Sequence, residues 1–205
     1  MRAAAVLKHA EQGGTSQVVT ISSDADEKLL RALAVAIVQH PRATLQELAR
    51  AAGVSKATLY RFCRTRKQLI DTLRNYCIEM VGNVIEASAL DTAPPLEALH
   101  RLTENHLAQK EFSVFLIYHW KPNEAPGENA DSAWDKSKRY EQMLDAFFLR
   151  GQKEGVFRID VSAACLADTY SYLLYGLMES ERLGRVARMG LSSTLEQLFL
   201  FGVHA

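Results

Sequence analysis

One stretch of nineteen residues constrains this chain more than any other: Thr44-Leu45-Gln46-Glu47-Leu48-Ala49-Arg50-Ala51-Ala52-Gly53-Val54-Ser55-Lys56-Ala57-Thr58-Leu59-Tyr60-Arg61-Phe62. Thr44 and Glu47 form a capping box: the hydroxyl accepts a first-turn amide and the carboxylate reaches back to the cap. Leu45, Leu48, Ala49 and Ala52 recur on the inner face of the helix so opened. Gly53 ends it as a residue free to adopt positive φ. Ser55 caps a third, short helix through Cys63, with Leu59 facing inward. Helix, glycine turn and helix at this spacing are the sequence form of a helix-turn-helix. Ala49 is small enough for the helices to cross closely, and Val54 plugs the turn. Lys56, Ala57, Thr58, Tyr60 and Arg61 are left outward, types that meet DNA rather than a protein core.

The flanking sequence is helical too. From Ser23 or Asp24, Leu29, Leu30, Leu33, Ile37 and Val38 recur at helical spacing until Pro41 stops the pattern. Thr65 caps a fourth helix through Leu69, Ile70, Leu73, Tyr76, Met80, Val84 and Ile85 towards Leu90. After Pro94-Pro95 a second block of helices is expected at 95–108, 110–120, 129–154, 162–184 and 192–203, with a loop at Lys121–Gly127. Residues 1–22 carry no sustained apolar period and read as an N-terminal extension, expected to be flexible. The domains expected are therefore 23–76 and 77–205, in an all-α chain.

Composition adds a compartment and a partner. Charged residues total 24 on each side, yet residues 24–77 hold ten Lys/Arg against five acids, a net +5, while residues 78–205 carry −6. A basic segment joined to an acidic body fits a nucleic-acid surface carried by a domain that avoids nucleic acid. No apolar run reaches the roughly 18 residues of a membrane span. No membrane partner is expected, and the cytoplasm is the expected compartment. Cys63, Cys77 and Cys165 are odd in number and widely spaced, which argues against disulfides and zinc and for buried thiols acting as small hydrophobes.

The stretch quoted above, followed by Thr65-Arg66-Lys67-Gln68-Leu69, closely resembles the TetR family of transcriptional regulators, most specifically from Gly53 to Leu69; Gly151 to Asp160 is a weaker echo. The resemblance implies a three-helix DNA-binding domain, a helical ligand-binding and dimerisation bundle, and a homodimer made by the last two long helices. It implies that Thr44, Tyr60 and Arg66 hold phosphates, and that Gln46, Lys56, Ala57, Thr58 and Arg61 face the major groove. Ser55 and Arg42, beside them at the caps, join the DNA-facing set. Double-stranded DNA, a second copy and an unidentified small-molecule effector are the partners so implied.

Within the second block, His106, Phe115, Tyr118, Trp134, Phe148 and Tyr170 are candidates to line an effector cavity, the aromatics as walls and the polar tips for orientation. Leu166, Leu173 and Leu177, with Leu191, Leu195, Leu198 and Phe199, are candidates for a dimer interface, and Gly176 would allow close helix approach. His100 and His106 lie six apart and face different ways, so no metal pair is read there. There is no Gly-rich phosphate loop, no His-Glu-x-x-His and no Gly-x-Ser-x-Gly. No catalytic activity and no cofactor are expected. The reading is a ligand-responsive dimeric regulator, a repressor first of all. Its rivals at this point are a helical adaptor that works through protein contacts and, more distantly, a helical enzyme acting on an apolar molecule.

Overall fold

The computed structural model describes residues 24–119 and 130–203, and the side chains of these except 130–137 and 202–203. Among the described residues there are nine α-helices and no strand: α1 (Asp24–Gln39), α2 (Leu45–Ala51), α3 (Lys56–Phe62), α4 (Arg66–Ser88), α5 (Pro95–Ala108), α6 (Lys110–His119), α7 (Ala130–Lys153), α8 (Ala163–Arg182) and α9 (Leu191–Val203). The expected extension at 1–22, the cap candidate Ser23, Trp120 and the loop 121–127 lie outside the described residues.

The chain divides into two compact units, the first ending at Arg74 and the second running from Asn75. In the first, α1 packs on α2 and α2 on α3. Leu30, Leu33, Ile37, Leu48, Leu59 and Leu73 are wholly buried, and Ala49 is 2% exposed at the close approach. Each buried Leu or Ile contributes about 1.5–3 kcal/mol relative to an exposed one, which is how helices of only seven residues stand at all.

In the second unit, α8 packs against α6, α7 and α9, and α5 against α6, α7 and α9. Its centre is aromatic: Phe147, Phe148, Phe157, Tyr170 and Phe199 are each 0–2% exposed, with ring centroids 4.9–6.2 Å apart. Two polar contacts fasten the end of α4 to the bundle. Arg150 donates from Nη2 to the carbonyls of Leu90 and Ala93 at 2.9 and 2.7 Å. Asn105 donates to Ser88 Oγ at 3.0 Å, and Ser88 donates to Val84 O at 2.6 Å. Gly155, at φ +73, supplies the left-handed residue that ends α7.

The cysteines are not alike. Cys63 and Cys77 are buried, as expected, and burial pushes the Cys63 thiol up to about 11 and that of Cys77 higher still. Cys165 is exposed: it follows the cap Ser162 in the first turn of α8, on the side that α8 does not bury. No helix of the described residues is long and apolar enough to cross a membrane.

Candidate nucleic-acid interface

The caps set this surface. Thr44 Oγ1 accepts from Glu47 N at 3.3 Å, and Glu47 Oε2 accepts from Thr44 N at 2.7 Å and from Thr44 Oγ1 at 2.8 Å. The hydrogen bond from the Thr44 amide is the largest cause holding the Glu47 carboxyl below its ordinary range. Gly53 takes φ +70, and Val54 N donates to Ala49 O at 2.9 Å across the turn. Ser55 then opens α3, accepting from Thr58 N at 3.0 Å, with its hydroxyl 2.9 Å from Thr58 Oγ1.

α3 buries Leu59 alone. Lys56, Ala57, Tyr60 and Arg61 are exposed, and Thr58 is half-buried. Lys56 Nζ lies 5.2 Å from the Tyr60 ring centroid, a cation–π contact that holds the lysine along the helix. Arg42, Thr44, Gln46 and Ser55 are also exposed. All ten DNA-facing candidates lie in the first unit; eight are exposed, and Thr58 and Arg66 are half-buried. Ser55 and Thr58 are partly engaged in capping. Arg66 differs. It is half-buried, its Nη2 donates to Pro41 O at 2.8 Å, and its Nε is buried with no partner. Beside these residues, Gln39, His40, Pro41, Arg42, Ala43, Glu47, Arg50 and Ala51 line an open groove of about 670 Å³.

The effector candidates separate in the second unit. His106 is 1% exposed, with Nε2 3.1 Å from the Tyr140 hydroxyl and Nδ1 buried without a partner. Burial pushes its pKa down to about 4, so the ring is neutral at pH 7. Tyr140 is one of the aromatics of the second block but not one of the effector candidates; its helical register does not announce the contact with His106. Phe115, Phe148 and Tyr170 are 0% exposed. Phe148 and Tyr170 belong to the aromatic cluster, and Tyr170 OH lies 3.2 Å from Thr103 Oγ1. Tyr118 is 51% exposed and donates to Glu179 at 2.7 Å. It is a surface residue, not one of a cavity wall, because α6 turns it outward beside α8. The side chain of Trp134 lies outside what the structure describes.

The dimer candidates separate as well. Leu166, Leu177, Leu191, Leu195 and Phe199 are 0–9% exposed within one chain. They fill the chain's own core, because α8 and α9 turn these positions towards α5, α6 and α7. Leu173 is half-buried and Leu198 is 56% exposed. The apolar surface that α8, α9 and their connection leave open is Tyr172, Leu183, Met189, Leu198 and Phe201, from 55 to 93% exposed.

Comparison with known proteins covers most of the chain. It is 49% identical over 177 residues to the HTH-type transcriptional regulator NfxB of Pseudomonas aeruginosa, spanning 86% of this chain and 93% of that one. It is 30% identical over 103 residues to the HTH-type transcriptional repressor LfrR of Mycolicibacterium smegmatis, 48% of this chain and 54% of that one. Among solved structures, the TetR family regulator PfmR of Thermus thermophilus superposes with a TM-score of 0.65 at 22% identity, covering 83% of this chain and 94% of that one. AibR in complex with isovaleryl coenzyme A and operator DNA superposes with a TM-score of 0.64 at 18% identity, covering 84% and 97%. At these identities the two structures speak for the fold. No family model matches the chain.

Proposed function

The chain belongs to the TetR family of transcriptional regulators, and from that premise we propose that it represses transcription by binding a pseudo-palindromic operator as a homodimer, and that a small molecule held in its C-terminal unit releases it. The observation that carries the DNA-binding part is α3 itself. A helix that spends Leu59 on the core and leaves Lys56, Ala57, Tyr60 and Arg61 in solvent is built to lie in a groove. Lys56 and Arg61 can donate to guanine O6 and N7, and Tyr60 and Thr44 to phosphates. Two-fold symmetry then requires half-sites about one helical turn, or a multiple of it, apart.

The exposed face of α8 and α9, with Leu198, Tyr172 and Phe201, supports the homodimer. His106 supports the effector site: a neutral buried imidazole with one nitrogen already on Tyr140 and the other unspent can make one hydrogen bond to a polar group on a mostly apolar molecule. AibR, of the same fold, is seen with both a small molecule and operator DNA.

A gel shift with fragments from the gene's own upstream region tests the reading. Retardation by the full chain at nanomolar concentration, lost on Lys56→Ala/Arg61→Ala, is the expected result. No retardation by any fragment, with a protein partner retained instead, would turn the reading towards an adaptor.

A further inference from the structure

The first residue of α4 carries a cation that family resemblance assigns to a phosphate. The geometry gives it other work. Arg66 Nη2 donates to the carbonyl of Pro41 at 2.8 Å, across 25 residues of chain, and Nε is buried without a partner. Nε and Nη2 are the edge with which a guanidinium grips an oxyanion side-on. Here that edge is turned into the protein, with one N–H of Nη2 spent on Pro41 and Nε buried, so a side-on grip on a phosphate is closed to it.

The two ends of this contact are themselves held. Pro41 sits in the turn between α1 and α2, closed by Ala43 N donating to His40 O at 3.0 Å and leading directly into the Thr44 cap. Arg42, the next residue, is exposed. Arg66 follows a connection of three residues from α3, fixed by buried Cys63 and Leu69. Gln68 ties that connection: its Oε1 accepts from Arg64 N at 2.9 Å, and its own amide donates to Thr65 Oγ1 at 3.1 Å. The Arg66–Pro41 bond thus joins the turn that presents Arg42 to the connection that ends α3.

We propose that Arg66 is a positioning residue which sets Arg42 relative to α3, and that Arg42 supplies the phosphate contact of this edge. The inference rests on the DNA-binding reading above. A backbone contact fixes the register in which base contacts can be made, so a strut between Arg42 and α3 acts on affinity without adding a charge to the interface.

Salt dependence and a double-mutant cycle separate the two roles. The full-length chain and its variants are titrated by fluorescence anisotropy against a mixed-sequence duplex of about three helical turns, from about 50 to 200 mM KCl. Arg42→Ala should flatten the salt slope by about one unit, the release expected for one phosphate. Arg66→Met should weaken binding about 3- to 10-fold with the slope of the wild type, as loss of one charge-assisted hydrogen bond allows. In the Arg42→Ala background it should add less than about twofold, because coupled residues are not additive. Arg66→Gln removes the charge but keeps an N–H donor; it should keep the wild-type slope, and it decides alone if Arg66→Met does not fold. A slope lowered by about one unit in Arg66→Gln or Arg66→Met, or effects of Arg42 and Arg66 that multiply, overturns the inference and restores Arg66 to the phosphates. A wild-type chain that binds no duplex overturns the DNA-binding reading itself and this inference with it.

Discussion

Gly151 lies beneath the ring of Phe157: a Cβ built on it would overlap Cδ2 and Cε2 of that ring and stand 3.3 Å from Cγ. Gly151 is in the last turns of α7, and its carbonyl accepts from Val156 N at 2.9 Å and Phe157 N at 3.2 Å as the chain turns back. Phe157 is 0% exposed and packs on Phe147 and Phe148 with centroids 5.8 and 5.3 Å away. The glycine is therefore what lets an aromatic plug close the end of the bundle.

The first prediction follows. In an open helix, Gly→Ala stabilises by up to about 1 kcal/mol. At Gly151 the sign should reverse, since overpacking costs about 1–3 kcal/mol. Urea unfolding of Gly151→Ala should show a lower midpoint, largely recovered in Gly151→Ala/Phe157→Leu. A midpoint at or above wild type would mean that Phe157 moves aside freely.

His106 gives stability a pH dependence. Its folded pKa is about 4, lowered by burial from 6.5. The unfolded chain therefore binds a proton between those values that the folded chain refuses. Stability should be complete above pH 6.5 and fall as pH drops towards 4, by up to about 3 kcal/mol at about 1.4 kcal/mol per unit. His106→Gln should be flatter across this window in urea unfolding at pH 7, 5.5 and 4.5. His100 works the other way: its hydrogen bond to Glu196, 2.7 Å away, raises its pKa. Its contribution is present in acid and lost as pH rises through the folded value. An equal slope in wild type and His106→Gln would show the imidazole to be solvated.

How much of this could be read from residue order depends on the range of the interaction. The caps Thr44 and Ser55 and the left-handed Gly53 are local, each with a hydrogen-bond partner three residues away, and the inward side of Leu59 follows from helical period. The helix boundaries accordingly fall within two residues of those expected. The Arg66–Pro41 and Arg150–Ala93 contacts span 25 and 57 residues, and nothing in the local pattern announces them. Periodicity says that Leu195 and Phe199 face something apolar; it does not say whether that surface belongs to the same chain. It likewise cannot tell the exposed Tyr118 from the buried Phe115 on one short helix, where nearly every side is apolar.

Lys56 carries the prediction on sequence choice. Its ammonium lies over the Tyr60 ring, so the lysine is held along α3 before DNA arrives. Lys56→Ala should relax the preference at one position in each half-site, at a cost of about 1–3 kcal/mol there. Tyr60→Phe keeps the ring beneath the lysine and removes only the hydroxyl. It should weaken binding to all sequences about equally and leave the selected site unchanged. Binding-site selection with the three proteins checks both, and a common logo for wild type and Lys56→Ala would count against base contact by Lys56.

The last prediction concerns the second copy. Leu195 and Leu198 are three residues apart on α9, yet one is 0% and the other 56% exposed. If the open face of α8 and α9 is the dimer interface, a charge at the two positions should do different things. Leu195→Glu buries a carboxylate in the chain's own core and should abolish the helical circular dichroism. Leu198→Glu should leave that signal intact and convert dimer to monomer, since the core of an obligate homodimer interface tolerates little unpaired charge. Gly176 offers a test without charge. It is exposed, and an added Cβ there meets nothing of its own chain within 4 Å. Gly176→Leu should therefore spare the fold while holding two copies of α8 apart. Sedimentation at about 10 µM, well above the nanomolar range of tight complexes, reads all three. A wild-type monomer, or a Leu198→Glu dimer indistinguishable from wild type, would remove this face as the interface and the palindromic operator that depends on it.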